Sequence, residues 1–426
     1  MAAWRISGAV FITALIAACA HSPEPAPLAG KNEAAPQRSA YEISTPCADL
    51  AARRPTEINP VQLALLEHSE NACALPTDDI SLIDGETALA GKSLALIAEG
   101  ETLTLFQIAD GPKPLICCSL QRADWRDLGD GRTFAARFHL KNLQSGLLKL
   151  TEKPLDQPLT DDDFIIWRGP DAPGEPIIKP DLAGTLSDHT LYSPELGETR
   201  KLIIYQPPQG EEGPLPTLYL ADGDSLHFLA RIIEPLIDSG DIAPILIVGM
   251  PSGQEGIVED RSELGGYIRS LDYLPADIPG EPPSRFEAYL SYMADTLVPW
   301  VEKEFSAAQD PRMRAISGSS NGGDLSLNTG YRRPDVFGHA WPMSAGAGKL
   351  DTAVLPQGEA ATFRLSAGYY EPYFMSTTEA SAKALRAAGY SVDAHWYAAG
   401  HMSDQWVHRL LENLKAVFPG PSARAD

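Results

Sequence analysis

The chain has 426 residues, with 34 Lys and Arg against 57 Asp and Glu, and a formal net charge of -23. This length can hold two or three domains, and a composition of 44% apolar and 21% charged residues rules out a disordered chain. The acidic balance argues against a nucleic-acid-binding protein, because binding to phosphates needs a surplus of Lys and Arg on one face.

The first 18 residues have the features of an export signal. Arg5 is followed by a mostly apolar run, residues 6–18, which is too short to span a bilayer. The run ends in small residues directly before Cys19, which resembles a bacterial lipoprotein signal. That resemblance implies lipidation of Cys19, a Pro- and Ala-rich tether over residues 19–40, and a membrane-anchored protein in the bacterial periplasm or at the outer membrane. A plain secretory signal with an incidental Cys is the alternative.

Four further cysteines remain: Cys47, Cys73, Cys117 and Cys118. Disulfides persist in exported proteins. Cys47 and Cys73 flank a predicted helical segment, and a disulfide between them is one of the three connectivities that four cysteines allow. A metal site is a weaker alternative, because the chain has no C-x-x-C pair and no H-E-x-x-H motif. No cofactor is expected.

The domain organisation follows from changes in pattern along the chain. Residues 41–77 are predicted to be helical, and residues 78–168 have short strand-like runs separated by Asp-Gly turns, which is typical of a small β-sandwich-like domain. Nothing in this domain suggests chemistry, so we expect an accessory or packing role. Residues 169–183 are rich in Pro, Gly and Asp and predict a linker.

Apolar runs alternate with longer helical stretches over residues 184–420, which predicts an α/β domain with a mostly parallel sheet covered on both faces. The predicted strands are residues 201–206, 216–221, 243–250, 312–317, 339–344, 362–367 and 391–398. The predicted helices are residues 226–237, 284–305, 322–333, 376–388 and 403–417. Ligands of such sheets bind beyond the carboxyl ends of the strands, so we expect the catalytic residues in the segments that follow them.

The segment after the fourth predicted strand contains a G-x-S-x-G motif, with Ser320 between Gly318 and Gly322. A nucleophilic Ser on a tight strand-to-helix turn needs such glycines, because the turn leaves little room for side chains around it. The following helix directs its N-terminal dipole at developing negative charge. We predict that Ser320 is the nucleophile, rather than Ser317 or Ser319, which are not centred between the two glycines.

His401 follows the last predicted strand in a Gly-His loop, C-terminal to Ser320. A His can accept the proton of a Ser near neutral pH. In proteins whose nucleophilic Ser lies on a turn of this kind, a third residue, Asp or Glu, usually lies between the Ser and the His in the chain. Glu371 follows the sixth predicted strand by four residues, and we predict that it orients His401. Asp393 and Asp404 are the alternatives.

When the Ser attacks a carbonyl group, the carbonyl oxygen becomes an oxyanion. Two backbone N–H groups are expected to bind it. One commonly belongs to the residue after the nucleophile, which is Asn321. The other should come from the loop after an earlier strand, Asp222-Gly223-Asp224, and we nominate the N–H of Asp224. Its carboxylate must then point away or be paired, because a negative side chain opposes an oxyanion. The alternative interpretations of this loop are a plain turn or a fragment of a Ca²⁺-binding loop, although the remaining ligand spacing of a Ca²⁺ loop is missing.

Several segments together resemble the putative esterase family, which includes enterochelin esterases, S-formylglutathione hydrolases, feruloyl esterases and mycolyltransferases. These segments are residues 219–223, 285–290, 297–305, 315–323 and 332–338, with Gly400, His401 and Trp406. The resemblance implies an α/β-hydrolase fold over about residues 184–418. It also implies a metal-free Ser/Glu/His triad and cleavage of acyl esters.

The preceding β domain is most similar to the enterochelin-esterase branch. Arg269 and Asp272 resemble that branch's Arg-x-x-Glu element, with Asp in place of Glu, which implies that they bind substrate. The small residues 345–348 and the acidic insertion 253–283 depart from the family pattern. An anionic iron–catecholate substrate fits poorly with the net charge of -23 unless local Arg residues offset it, so that substrate is not favoured.

The sequence thus predicts an exported serine esterase that acts on a small-molecule ester through an acyl-enzyme. Two alternatives stay open. An acyltransferase on the same fold would pass the acyl group to a sugar or lipid alcohol. A non-catalytic surface protein would use the fold only to present a binding groove. The oligomeric state and the two halves of the ester are not predicted.

Overall fold

The computed structural model describes residues 68–109, 117–118, 125–151, 163–208, 213–252, 268–277, 282–346, 350 and 361–422. The predicted export signal, the tether, Cys19 and Cys47 lie outside these residues, and Cys73 takes part in a disulfide bond. Within the described part of the chain, no helix combines the length and hydrophobicity that a membrane crossing requires.

Contacts between residues divide the chain into two compact units. The first unit contains the N-terminal part of the chain as far as Gly174, together with Ala367–Ser376 and Trp396–Gln405. The second unit contains Glu175–Ser366, Thr377–His395 and the residues from Trp406 onward.

Two antiparallel sheets make up most of the first unit. In chain order its elements are β1 (Ala72–Leu75), α1 (Leu82–Leu89), β2 (Leu94–Glu99), β3 (Thr102–Ile108), β4 (Cys117–Cys118), β5 (Arg126–Asp127), β6 (Thr133–Leu140), β7 (Leu147–Thr151) and β8 (Ile165–Arg168). The larger sheet has the order β1-β6-β3-β2, with β5 also paired to β6, and the smaller sheet has the order β4-β7-β8.

Apolar side chains from both sheets share one core in the first unit. Leu103, Leu105 and Phe138 of the larger sheet are fully buried together with Leu148 and Leu150 of the smaller sheet. Two sheets that bury their inner faces against each other are the arrangement expected of a sandwich-like domain. The sheet domain predicted before the α/β domain is therefore present.

The helix predicted over residues 41–77 is wrong for residues 72–75, which form β1. This strand pairs antiparallel with β6, with Ala72 opposite Leu140 and Leu75 opposite Arg137. The backbone groups of β1 are satisfied by this distant partner, and the side chains of Ala72 and Cys73 are buried. Tertiary pairing thus overrides the local pattern here.

The second unit is built on a mixed sheet of eight strands. The remaining elements of the chain are β9 (Thr185–Ser193), β10 (Glu198–Gln206), β11 (Thr217–Ala221), α2 (Leu226–Asp238), β12 (Leu246–Met250), α3 (Phe286–Ser291), a π-helical turn (Tyr292–Leu297), α4 (Val298–Phe305), β13 (Arg314–Ser319), α5 (Asn321–Arg332), β14 (His339–Met343), β15 (Thr362–Gly368), α6 (Pro372–Ala387), β16 (Val392–Tyr397) and α7 (Ser403–Val417). The strand order is β16-β15-β14-β13-β11-β12-β10-β9.

The inner strands of this sheet are parallel, as predicted. Strands β12, β11, β13, β14 and β15 pair in parallel, whereas β9 and β10 form an antiparallel hairpin at one edge. Both faces are covered: Leu202 and Ile204 of β10 belong to one apolar cluster, and Ile203 and Tyr205 belong to another. Successive side chains of a strand point to opposite faces, so this alternation shows a sheet buried on both sides.

The helix predicted over residues 284–305 is interrupted by the π-helical turn. Pro299 lies in the first turn of α4, directly after this wider segment. A proline inside a helix lacks the N–H donor and its ring clashes with the carbonyl group four residues earlier. The π-helical turn places that carbonyl group outside the normal helical register, so the chain continues through Pro299 without a break.

Candidate active site

Ser320 lies on the tight connection between β13 and α5. Its backbone has φ 56 and ψ -126, a conformation that is rare for a residue with a side chain and often marks functional sites. A Cβ atom on Gly318 would lie 2.4 Å from the carbonyl oxygen of Gly322, so these two residues must approach without side chains. The Ser320 N–H donates to the carbonyl oxygen of Met343 at 2.9 Å, which holds the turn against β14.

Glu371 and His401 are brought together by the structure. His401 Nδ1 lies 2.6 Å from Glu371 Oε2. The other carboxylate oxygen, Oε1, accepts from the Gly368 N–H at 2.5 Å and from Gln405 Nε2 at 3.2 Å. Glu371 is only 5% exposed, so its orientation is set by these donors rather than by water. With Nδ1 donating to the carboxylate, Nε2 is the nitrogen that can act as a base.

Phe374 and Gln405 support this pair, and sequence reasoning missed both. The Phe374 ring stacks on the His401 imidazole, with ring centroids 4.1 Å apart and planes 20° apart. Gln405 Nε2 also donates to the carbonyl oxygen of Gly400, so it joins the histidine segment to the acid. The spacing of Phe374 three residues after Glu371, on the same side of a helix start, is the one local signal that could have indicated it.

The two alternative acids have other partners. Asp393 pairs with Arg364 at 2.8 Å and with Arg409 at 2.9 Å. Asp404 Oδ1 lies 4.0 Å from a guanidinium nitrogen of Arg168. Of the three candidate acids, Glu371 is the one whose carboxylate bonds to the imidazole. Ser320 belongs to the second unit, whereas Glu371 and His401 belong to the first.

The loop after β11 is tightly constrained. Asp222 has a positive φ of 55 and is followed by a 3₁₀ turn, Gly223–Ser225. A Cβ atom on Gly223 would lie 2.1 Å from the backbone nitrogen of Met250, so no other residue fits at this close approach. The Asp222 N–H donates to the Tyr273 hydroxyl at 3.2 Å.

Asp224, the nominated oxyanion donor, has an altered acidity. Partial desolvation of its carboxyl group and the nearby negative charge of Asp222 raise the pKa of Asp224, although the residue reaches solvent.

Arg269 holds the loop after β11 in place. Its guanidinium group forms a bidentate pair with the Asp222 carboxylate, at 2.7 and 2.8 Å, and also donates to the Ser319 carbonyl oxygen at 3.2 Å. The neighbouring residue Ser270 accepts a hydrogen bond from the Asn321 side chain at 3.1 Å. Residues 268–273 form a short helical segment, which therefore contacts both the loop that carries Asp224 and the side chain of Asn321. Substrate contact by Arg269 stays a prediction.

The predicted substrate contact of Asp272 is corrected by the structure. The residue is 0% exposed, and its carboxylate pairs with Arg285 at 2.7 Å and Arg200 at 2.9 Å. Glu198 completes this cluster by pairing with both Arg side chains. A carboxylate buried between two guanidinium groups anchors the helical segment that carries Arg269 and has no surface left for a ligand.

Residues 193–417 match the protein family described as "Putative esterase", which is more than half of the chain. The chain therefore belongs to this esterase family, and the resemblance noted in the sequence is confirmed. Its mixed sheet, with helices on both faces, is an α/β-hydrolase fold. Among the described residues, no group of three or more His, Cys, Asp or Glu side chains is arranged to hold a metal ion.

Curated relatives match over part of their length. The uncharacterized protein YjcH of Bacillus subtilis is 29% identical over 162 residues, which are 37% of this chain and 60% of YjcH. The chain thus spans about three fifths of the length of this relative, and a similar share of YbbA from the same organism. An endo-1,4-beta-xylanase/feruloyl esterase of Xylanibacter ruminicola is 24% identical over 274 residues, 61% of this chain and 32% of that protein.

Solved structures share the fold over a longer part of the chain. The ferric enterobactin esterase of Salmonella typhimurium has a TM-score of 0.57 and 14% identity, and it covers 78% of this chain and 98% of its own. The enterochelin esterase of Shigella flexneri has a TM-score of 0.55 and 14% identity, covering 76% of this chain and 95% of its own. Identities this low establish similarity of fold.

Proposed function

We propose that the protein is a serine esterase whose triad consists of Ser320, His401 and Glu371. The observation that carries this proposal is the 2.6 Å bond between His401 Nδ1 and a buried carboxylate, which leaves Nε2 to act as the base. The positive φ of Ser320 on its strand-to-helix turn supports it, since this is the strained geometry that exposes a nucleophile.

The proposed reaction proceeds through an acyl-enzyme. Ser320 Oγ bonds to the ester carbonyl carbon while its proton passes to His401 Nε2, and the carbonyl oxygen becomes an oxyanion held by the N–H groups of Asn321 and Asp224. The C–O bond to the alcohol then breaks, and the imidazolium returns the proton to the departing alcohol. Water repeats the sequence on the acyl-enzyme and releases the acid, with Glu371 stabilising the imidazolium in both halves.

The location and substrate of the enzyme are further parts of the proposal. The pattern before Cys19 supports export and a lipid anchor on that residue. The feruloyl esterase name of one relative and the enterobactin esterase names of the structural neighbours make feruloyl esters and catecholate siderophore esters the first substrates to screen.

The test is labelling by a fluorophosphonate probe, which reacts with an activated serine hydroxyl. We compare the wild-type chain with Ser320→Ala, and use Ser319→Ala as the control for a neighbouring hydroxyl. We expect labelling of the wild type and Ser319→Ala but not of Ser320→Ala, with a loss of about 10⁶-fold in kcat for ester hydrolysis in the last. Equal labelling of Ser320→Ala would mean that another serine is the nucleophile. A folded wild type that is neither labelled nor active would refute the esterase mechanism.

A further inference from the structure

The segments that carry the proposed acid and base pack with the N-terminal sheet domain. Ala367–Ser376 contains Glu371, Trp396–Gln405 contains His401, and both belong to the first compact unit. The two antiparallel sheets and helix α1 also belong to that unit. Both segments therefore lie among residues encoded more than 200 positions earlier in the chain.

The histidine segment is bonded to the first residue of β7. The Leu147 N–H donates to the carbonyl oxygen of Ala398 at 2.9 Å, and Leu147 forms a parallel β-bridge with Ala399. The side chains of Leu147, Ala399 and Met402 are each at most 3% exposed and form one apolar cluster. Because Ala399 and Met402 flank His401 on both sides, this contact restricts the position of the imidazole.

The acid segment is held by the same domain. Tyr370, the residue before Glu371, is 3% exposed and shares the sandwich core with Leu148 and Leu150. Its hydroxyl donates to the carbonyl oxygen of Lys141 at 3.0 Å. The core thus fixes the backbone directly beside the carboxylate.

The two segments are also joined to each other. The Tyr370 N–H donates to the carbonyl oxygen of Ala399 at 3.0 Å. A Cβ atom on Gly368 would lie 2.0 Å from the same oxygen, so the two backbones cross in close contact. A displacement of the histidine segment would therefore be transmitted to the acid segment.

We propose that the N-terminal sheet domain positions the acid and the base of the triad, with Leu147 of that domain and Tyr370, which packs into its core, as the positioning residues. This proposal rests on the esterase mechanism proposed above, and it replaces the accessory role expected from the sequence. Its physical basis is the steep dependence of catalysis on geometry, since a misplacement of about 1 Å can cost roughly 10²-fold in rate.

The chain offers a matched pair of substitutions to test this. Leu147→Ala and Leu89→Ala each remove the same atoms from a leucine of the first unit, 3% and 2% exposed. Leu89 packs with Ile80, Phe106 and Ala135, a cluster that contains no residue of the acid or histidine segments. The two variants should lose similar stability while only one loosens the triad.

The measurements are kcat and KM for a p-nitrophenyl ester, the rate of fluorophosphonate labelling, and thermal unfolding, all on the full chain. At a temperature where both variants are folded, we expect Leu147→Ala to lose about 10- to 100-fold in kcat at unchanged KM, with a parallel fall in labelling rate. Leu89→Ala should keep kcat within about two-fold, because only its stability is reduced. If Leu147→Ala does not fold, Tyr370→Phe decides the question, since it removes the bond to Lys141 without opening a cavity. It should lower kcat severalfold.

The outcomes separate the two proposals. If the wild type is labelled and active but Leu147→Ala has the wild-type kcat, the positioning role is overturned and the serine mechanism stands. If Leu147→Ala is unfolded, a wild-type kcat in Tyr370→Phe leads to the same conclusion. An equal loss of kcat in Leu89→Ala and Leu147→Ala also overturns it, since that would reflect general destabilisation. A wild type without labelling or hydrolysis removes both proposals together.

Discussion

Gly223→Ala tests whether the loop after β11 supplies a donor to the oxyanion. The added Cβ atom would lie 2.1 Å from Met250 N and 2.3 Å from Gly249 C, whereas ordinary contacts begin near 3.4 Å. The neighbouring atoms belong to the backbone of a central strand, so no side chain can rotate out of the way. The loop itself has to move by about 1 Å. A shift of that size would misplace the Asp224 N–H, and losing one such donor costs about 10²- to 10³-fold in kcat.

Gly174→Ala is the matched control for this substitution. A Cβ atom on Gly174 would meet no atom within 4 Å, so the same chemical change there should be neutral. The assay is kcat and KM for an aryl ester, with circular dichroism to confirm that each variant is folded. We expect the loss in kcat for Gly223→Ala with little change in KM, and wild-type values for Gly174→Ala. A folded Gly223→Ala variant with kcat within about three-fold of the wild type would refute the role of this loop in binding the oxyanion.

Two further predictions concern Glu371 and Glu234. Glu371→Gln should lower kcat by about 10⁴-fold, because an amide supports the wrong imidazole tautomer, and steady-state kinetics on the folded variant measure this. Burial opposes ionisation of Glu234, yet Lys179 and the N–H groups of Ala183 and Gly184 lower the pKa of Glu234 from 4.5 to about 2. A lowered pKa stabilises the fold above pH 4.5, and this contribution is lost as the pH falls toward 2. Glu234→Gln should therefore lose at most about 3 kcal/mol near neutral pH and much less at the acid end, as denaturant unfolding at several pH values would show. Equal losses at both ends would contradict the assignment.

The inner strands of the second unit could be predicted because they are continuous apolar runs, and such runs are typical of strands buried on both faces. Strand β9 was missed. Its sequence has four consecutive polar residues, 187–190, and only three apolar residues, and one of its nine side chains is buried because it lies at the edge of the sheet. The π-helical turn was missed because its sequence is as apolar and helix-compatible as the helices on either side.

Position relative to the strands was enough to predict that Glu371 would be the partner of His401. Asp272 shows where this approach fails. Its two Arg partners are Arg285, which is nearby in the chain, and Arg200, which lies on β10. No local pattern shows that three charges from separate segments will meet in the interior, so a residue that resembles a substrate contact becomes a buried anchor.

The bond between Leu147 and Ala398 joins residues more than half the chain length apart. Contacts over such distances form late, because the intervening chain must first be ordered. During synthesis the turn that carries Ser320 is made well before the segment that carries His401. The sheet domain is made earlier than both, so it exists for longer without its contact to the histidine segment. On the proposed mechanism, a growing or truncated chain therefore has its serine but no oriented base. Ester hydrolysis is therefore withheld until the segment that carries His401 has been made and has packed with the sheet domain.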